Sequence, residues 1–229
     1  MTSNSDCTNI FETKIMIFDF DGVIIDSTEV KVEEYRILLS QFTKNEATLN
    51  EIINIYRNSG GIPRETTLKK VFKEVLDKTL SNQEVENLSL DYSKQIFRRL
   101  EAIKPLKGFL EYLAIHKEIN KYIISGAPNS DVSYLTKKLK LSKYFKSIKG
   151  GPLNKKNEII HIRKLAKVKA QDIVYFGDQK NDYISAKSAG VGFIGINAGS
   201  NLDTMECKKF SDFEKLIAYE MAGRLRTSI

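Results

Sequence analysis

An apolar segment that ends in two closely spaced aspartates constrains the fold more than any other part of the sequence. In IMIFDFDGVIIDS (residues 15–27), Asp19 and Asp21 flank Phe20 at the end of the apolar run, and Gly22 follows at once. Because side chains alternate along an extended strand, the two carboxylates are expected on the same side of the chain. Two like charges this close need a cation, a positive group or a shared proton. A simple Asp-Gly turn after a strand is the alternative interpretation, and this segment alone leaves both open.

The remaining sequence divides into a helical block and an alternating block. Four amphipathic segments without a strand between them predict helices at 28–42, 46–57, 64–77 and 84–100. From Pro105 onward, predicted strands alternate with predicted helices. The strands are expected at 121–125, 146–149, 172–177 and 191–196, and the helices at 107–117, 130–140, 157–167, 180–189 and 212–222.

This order predicts an α/β protein with an insertion. Short apolar strands separated by helices are typical of a parallel sheet that is covered on both faces. The first strand, 14–18, has the same character but precedes the helical block. We therefore predict an α/β core domain formed by residues 1–26 and 104–229, with an all-α domain of residues 27–103 inserted after the first aspartates.

Composition excludes several classes of protein. No apolar run approaches the roughly 18–20 residues that span a bilayer, so no membrane association is expected. Residues 1–12 are polar and predict a loose tail rather than a secretory signal. Cys7 and Cys207 form neither a disulfide framework nor a zinc site, which favours a reducing, cytoplasmic location.

The net charge of +7 raises the question of nucleic-acid binding. Residues 104–170 hold 16 Lys/Arg against 4 Asp/Glu, a net charge of +12, whereas residues 27–103 balance at 12 against 12. Many of these lysines alternate with apolar residues, as in KKLKLSKYFKSIK (137–149), which is typical of a solvated face. No nucleic-acid motif accompanies them, so no nucleic-acid partner is expected.

Several polar residues follow the predicted strands, where open α/β sheets bind their ligands. These residues are Asp19 and Asp21, Ser125 with Gly126, Gly150 and Gly151 with Lys155, and Asp178 and Asp182. Four carboxylates, one hydroxyl and one lysine are therefore expected at one edge of the sheet. This convergence outweighs any one residue, since acidic residues at a helix start and lone loop lysines are common without a function.

The chemistry of these groups suggests a metal and an anion site. Asp178 and Asp182 lie four residues apart across a helix start and share one face. Together with Asp19 and Asp21 they favour a hard divalent cation with oxygen ligands, Mg²⁺ above all. The Ser-Gly turn in IISGAPNS (123–130) supplies a hydroxyl and free amides that suit an anion.

In this order, Asp-x-Asp, Ser, Lys and Gly-Asp-x-x-x-Asp resemble the haloacid dehalogenase-like hydrolase superfamily. The insertion after the first motif is similar to the subclass with a helical cap, the phosphoglycolate phosphatase-like group, whose core is a Rossmann-like parallel sheet. The resemblance covers about Lys14 to Tyr219, and FDFDGVIIDS and YFGDQKNDYISAKSAG are its most specific parts. The third motif departs from the common pattern: GGPLNKK leaves Lys155 and Lys156 as candidates, and Lys155 is preferred.

The resemblance implies a role for each residue. Asp19 is the expected nucleophile, and Asp21 is the expected general acid and base, with a raised pKa. Mg²⁺ is expected on Asp19, the backbone carbonyl of Asp21 and Asp178, with Asp182 beside it. Ser125, Gly126 and Lys155 are expected to hold the phosphoryl group. Dehalogenases lack the second aspartate, so phosphoryl chemistry is favoured.

The expected function is a Mg²⁺-dependent phosphatase of a small phosphorylated metabolite, either phosphoglycolate-like or sugar-phosphate-like. A sugar phosphomutase of the β-phosphoglucomutase kind is the nearest alternative, and a non-catalytic phosphate-binding or signalling module is an alternative of another class. Arg64 in GGIPRE is a candidate for reaching over the site to the substrate, with an exposed helix-start arginine as the other interpretation. His116 and His161 are expected on helix surfaces. Monomer and dimer both remain open.

Overall fold

The computed structural model describes residues 12–59 and 62–227, so the predicted tail and Cys7 lie outside the described residues. Six strands form one fully parallel sheet in the order β3-β2-β1-β4-β5-β6. The strands are β1 (Ile15–Phe18), β2 (Asn120–Ile124), β3 (Ser147–Lys149), β4 (Ile173–Gly177), β5 (Gly192–Ile196) and β6 (Lys208–Phe210). The predicted α/β class is confirmed, and β6 is an additional strand that the sequence did not predict.

Nine α-helices complete the described part of the chain. They are α1 (Thr28–Leu39), α2 (Glu46–Arg57), α3 (Arg64–Glu74), α4 (Asn82–Arg99), α5 (Phe109–Ile115), α6 (Asn129–Lys138), α7 (Lys155–Ala166), α8 (Lys180–Ala189) and α9 (Phe213–Thr227). Helices α1–α4 follow one another without an intervening strand, as the helical block predicts. Ser81 caps α4 with Glu84 in a capping box.

Apolar side chains on both faces of the sheet explain why these strands are buried. Met16 and Phe18 face a cluster that also includes residues of α1–α6 and α9, whereas Ile15 and Ile17 face a second cluster under α7 and α8. This alternation is what a parallel sheet covered on both faces requires. Phe18 stacks on Phe176 of the neighbouring strand at a centroid distance of 4.7 Å.

One surface prediction is wrong. His116 ends α5 in a buried position, where its Nε2 lies 2.9 Å from Oε2 of Glu220 on α9. The hydroxyl of Tyr112 donates to the other oxygen of Glu220 at 3.0 Å. A buried carboxylate needs such partners, and α9 supplies this one from the far end of the chain. His161 is exposed on α7, as expected.

Candidate active site

The sheet brings together the ends of three strands that are far apart in sequence. β1 lies between β2 and β4, so Asp19, Ser125 and Asp178 emerge side by side at their carboxyl ends. The Asp19 amide extends the ladder by donating to the Phe176 carbonyl at 2.9 Å. Hydrogen bonding to a central strand fixes the position of the Asp19 backbone.

Three buried carboxylates and a buried lysine form the centre of the site. Oxygens of Asp19, Asp178 and Asp182 all lie within 4.8 Å of one another. The Lys155 ammonium lies 3.0 Å from Asp19 and 2.6 Å from Asp182. Lys155 is the first residue of α7 and is buried, whereas Lys156 is exposed. Of the two candidate lysines, Lys155 is therefore the one in the site.

The two aspartates around the start of α8 have different surroundings. Oδ1 of Asp182 accepts from Lys155 and from the Tyr175 hydroxyl at 3.1 Å, and its Oδ2 accepts from the Gln179 amide at 3.2 Å. Oδ2 of Asp178 accepts from the Gln179 side chain, but its Oδ1 is buried without a partner. A buried carboxylate oxygen without a partner is costly, so Asp178 is the carboxylate best prepared to bind a cation.

Burial and mutual repulsion perturb the protonation of these groups. Burial raises the pKa of Asp19 to about 7; Lys155 opposes this increase, and the neighbouring carboxylates add to it. Burial, Asp182 and Asp19 together hold the pKa of Asp178 well above its usual value. Burial alone would lower the pKa of Lys155, but the carboxylates of Asp182 and Asp19 raise it well above its usual value. The lysine is thus a permanent cation, and a proton or a metal must offset the remaining negative charge.

Asp21 faces the helical block rather than the other carboxylates. Ser27 donates to its Oδ1 at 2.6 Å, and the Lys31 ammonium of α1 lies 2.5 Å from its Oδ2. Burial favours a raised pKa, but Lys31 and then Ser27 outweigh it, so the pKa of Asp21 lies below its usual value. The expectation of a raised pKa for Asp21 is wrong, because α1 places the Lys31 ammonium against this carboxylate.

Glycines allow the close approach of these segments. Gly22 has φ +78°, a conformation that favours glycine, and a Cβ there would lie 2.4 Å from Oδ2 of Asp178. A Cβ on Gly177 would lie 2.4 Å from Cβ of Asp182. Both positions require glycine so that the aspartates can occupy the space beside β1 and β4.

A cavity of about 440 Å³ opens from these carboxylates toward the helical block. Asp19, Asp21, Ser125, Gly126 and Asp178 line its base. Ser125 is buried, and its Oγ accepts from the Ala127 amide at 3.1 Å, which holds the Ser-Gly turn in shape. The predicted anion-binding turn therefore lies on the same cavity as the carboxylates.

Arg64, the first residue of α3, also lines the cavity, but its guanidinium is engaged by protein groups. It pairs with Asp131 of α6 at 2.6 Å and donates to Ser93 Oγ at 2.7 Å. Ser93 in turn donates to Asp131 at 2.9 Å. In this structure Arg64 joins the helical block to the sheet side of the molecule.

Sequence reasoning missed several residues that hold the site together, namely Ser27, Lys31, Asp131, Tyr175 and Gln179. A signal existed for Lys31, which lies one helical turn after Ser27 and therefore on the same side of α1. Tyr175 precedes Gly177 by two residues and shares its face of β4. Asp131 carries no local signal, since its partner lies 67 residues away.

Comparison with known proteins is consistent with this geometry. Residues 16–196 match the family model described as haloacid dehalogenase-like hydrolase. A phosphoglycolate phosphatase of Pseudomonas fluorescens is 25% identical over 202 residues, covering 82% of this chain and 71% of that protein. A phosphorylated carbohydrates phosphatase of Thermotoga maritima is 25% identical over 183 residues, covering 77% of this chain and 81% of that protein.

A solved structure extends the similarity to the fold. The crystal structure of a predicted phosphoglycolate phosphatase from Haemophilus somnus superposes with a TM-score of 0.74 at 16% identity, covering 92% of this chain and 99% of that one. Among the described residues of this chain, no helix has both the length and the apolar character needed to cross a membrane.

Proposed function

The chain belongs to the haloacid dehalogenase-like hydrolase family and is a phosphatase, and on that basis we propose that it hydrolyses a small phosphorylated metabolite with Mg²⁺ through an aspartyl-phosphate on Asp19. One observation carries the proposal: two buried carboxylates with different surroundings lie side by side. The Asp19 carboxylate contacts the Lys155 ammonium, and the Asp178 carboxylate has one oxygen without a partner. The domain boundaries at residues 26/27 and 103/104 remain part of this proposal.

The donor set fits a hard divalent cation. Asp178 offers a buried oxygen that has no partner. Carboxylate oxygens of Asp19 and Asp178 also lie within 4.8 Å of each other. Asp182 has both oxygens engaged, so its role is to hold Lys155 and the start of α8. Asp19, Asp178 and the backbone carbonyl of Asp21 would bind Mg²⁺, which would neutralise negative charge on the transferring phosphoryl group.

In the first half-reaction, a carboxylate oxygen of Asp19 attacks phosphorus and the bond from phosphorus to the ester oxygen breaks. Lys155 and the Phe20 amide, 2.8 Å from Oδ1, hold that carboxylate in place. The proton that the leaving oxygen needs would come from Asp21, which Lys31 and Ser27 position. Because the pKa of Asp21 lies below its usual value in the free protein, the anionic phosphate ester that enters beside it has to raise that pKa before this step. The product alcohol then departs.

In the second half-reaction, Asp21 accepts a proton from water as that water attacks phosphorus. The bond between phosphorus and Asp19 breaks, and inorganic phosphate is released with Asp19 restored. The lowered pKa of Asp21 suits this step, since a carboxylate is needed to take the proton. Ser125, the Gly126 amide and Lys155 would hold the phosphoryl oxygens during both steps.

The test is phosphate release from p-nitrophenyl phosphate with Mg²⁺ and with chelator. We expect turnover only with Mg²⁺, and none from Asp19→Asn or Asp21→Asn. Asp203→Asn, which alters an exposed aspartate outside the site, is the matched control and should retain full activity. Turnover by Asp19→Asn would refute the proposed nucleophile. Isomerised sugar phosphate in place of released phosphate would favour the phosphomutase.

A further inference from the structure

The positive charges that reach the cavity are already neutralised by protein carboxylates. Among its described lining residues, three side chains carry positive charge, and each is ion-paired. The pairs are Lys31 with Asp21, Arg57 with Glu29, and Arg64 with Asp131. The third pair is almost completely buried, and the second is a two-pronged contact with distances of 2.6 and 2.7 Å.

Negative charge remains at the mouth of the cavity. Asp26 lines it and is exposed, whereas the charge of Glu29, which is also exposed there, is already offset by Arg57. Asp26 accepts a hydrogen bond from the Asn197 side-chain amide at 3.3 Å. A second anionic group on a substrate would therefore lie near the Asp26 carboxylate, and it would have to displace Glu29 from Arg57 to reach a cation there.

The other polar groups on the wall are neutral hydroxyls and amides. They include Thr28, Tyr56, Ser59, Thr67, Asn197 and Asn201. Such groups both donate and accept hydrogen bonds, and carboxylates accept them, which matches the hydroxyls of a polyol. The volume of about 440 Å³ suits a small ligand of this kind.

We propose that the substrate is a phosphate monoester of a neutral polyhydroxy alcohol or sugar, and that the ion pairs of the cavity discriminate against esters whose organic part carries a carboxylate. This inference rests on the proposed phosphatase function and specifies the substrate class for the same site. Glu29 is the specificity-determining residue, because it occupies the guanidinium of Arg57 at the cavity mouth.

Two matched pairs of esters test the proposal. Glycerol 3-phosphate and 3-phosphoglycerate differ only in a hydroxymethyl group against a carboxylate, as do 2-hydroxyethyl phosphate and 2-phosphoglycolate. We expect kcat/KM to be about tenfold higher or more for the neutral member of each pair, because the carboxylate would lose hydration without gaining a free cation. p-Nitrophenyl phosphate is assayed in parallel to establish phosphatase activity independently of specificity.

A variant tests the role of Glu29. Glu29→Gln frees Arg57 at the cavity mouth and should shift the kcat/KM ratio within each pair by about two- to fivefold toward the carboxylate ester. Glu46→Gln is the matched control, since Glu46 pairs with Arg36 on the exposed surface of the helical block and does not line the cavity. It should leave the ratio unchanged.

Each outcome has one meaning. Preference for the neutral esters, shifted by Glu29→Gln alone, supports the proposal. Equal or faster hydrolysis of the carboxylate esters by a protein that hydrolyses p-nitrophenyl phosphate would overturn the substrate class and leave the phosphatase function standing. Absence of turnover on every ester, with Mg²⁺ and a folded protein, would overturn the proposed function and this inference with it.

Discussion

Replacing Asp131 by asparagine should cost about 3 kcal/mol of unfolding free energy, because the Arg64 guanidinium then stays buried without its counter-charge. The two side chains are 6% and 3% exposed, with Nη2 and Oδ2 2.6 Å apart. Removal of one member of a buried ion pair costs roughly 3–5 kcal/mol. The low end applies because Ser93 and the ring of Tyr92, 4.6 Å from the guanidinium carbon, continue to stabilise the cation.

A double-mutant cycle separates the pair from its surroundings. Arg64→Met leaves the Asp131 carboxylate buried, although Ser93 and Ser130 still donate to it. The double variant Arg64→Met/Asp131→Asn removes both charges. It should therefore cost less than the sum of the single changes by about 2 kcal/mol.

Urea unfolding followed by circular dichroism measures these costs, with the slope checked for two-state behaviour. Glu74→Gln is the control, since its pair with Lys70 is exposed and 4.0 Å long, and should change stability by at most about 0.5 kcal/mol. A cost below about 1 kcal/mol for Asp131→Asn, or strict additivity of the single changes, would refute the argument that this buried pair joins α3 to α6.

Three further predictions concern the site itself. Gly22→Ala should weaken Mg²⁺ binding and activity, because the added Cβ would meet the Asp178 carboxylate. Gly190→Ala is the control: Gly190 has a similar φ of +74° and no contact closer than 3.9 Å, so this change should only reduce stability, by about 1 kcal/mol. The increase in Tm on addition of Mg²⁺ is compared between the two variants. The raised pKa of Asp19, about 7, stabilises the metal-free protein below the unfolded value of 3.8, and this stabilisation is lost as pH rises through about 7. Mg²⁺ would take the place of this proton, so the increase in Tm that Mg²⁺ produces should be larger at pH 8 than at pH 6. An equal increase at both pH values would contradict the raised pKa of Asp19. Lys31→Met should move the basic limb of the pH profile of kcat/KM for an alkyl phosphate to higher pH, because loss of the ammonium raises the pKa of Asp21. If the limb does not move, the protonation of Asp21 does not determine it.

The sheet was largely predictable because buried parallel strands are continuous apolar runs between helices. The five predicted strands were found within one residue of their expected ends. Strand β6 escaped prediction because Lys208–Phe210 is three residues long and contains two lysines, the composition of a short sheet edge rather than a buried strand.

Some helix ends depend on turns that periodicity does not reveal. The helix predicted at 64–77 ends at Glu74, and the chain then reaches Asp77 in a left-handed conformation with φ +47°. The helix predicted at 28–42 ends at Leu39, whose carbonyl accepts from the Phe42 amide in a turn. In both segments the apolar spacing continues beyond the last helical residue.

The residues of the site that follow strand ends could be predicted from the sequence. The contacts that residues of the helical block make with the site could not. Asp19, Asp178 and Lys155 occupy positions that motif order and sheet topology indicate. The pKa of Asp21 could not be inferred from its neighbours in sequence, since it depends on Lys31, which the turn after Gly22 brings back over the carboxylate. Charge balance at the site is therefore a tertiary property.

The central claim is that Asp19 carries the phosphoryl group between the two half-reactions. Reaction mixtures quenched during turnover and treated with borohydride convert an aspartyl-phosphate to homoserine, which peptide mapping by mass spectrometry locates. We predict homoserine at position 19, dependent on substrate and Mg²⁺, and none in Asp19→Asn. Homoserine at another aspartate during active turnover would contradict the account.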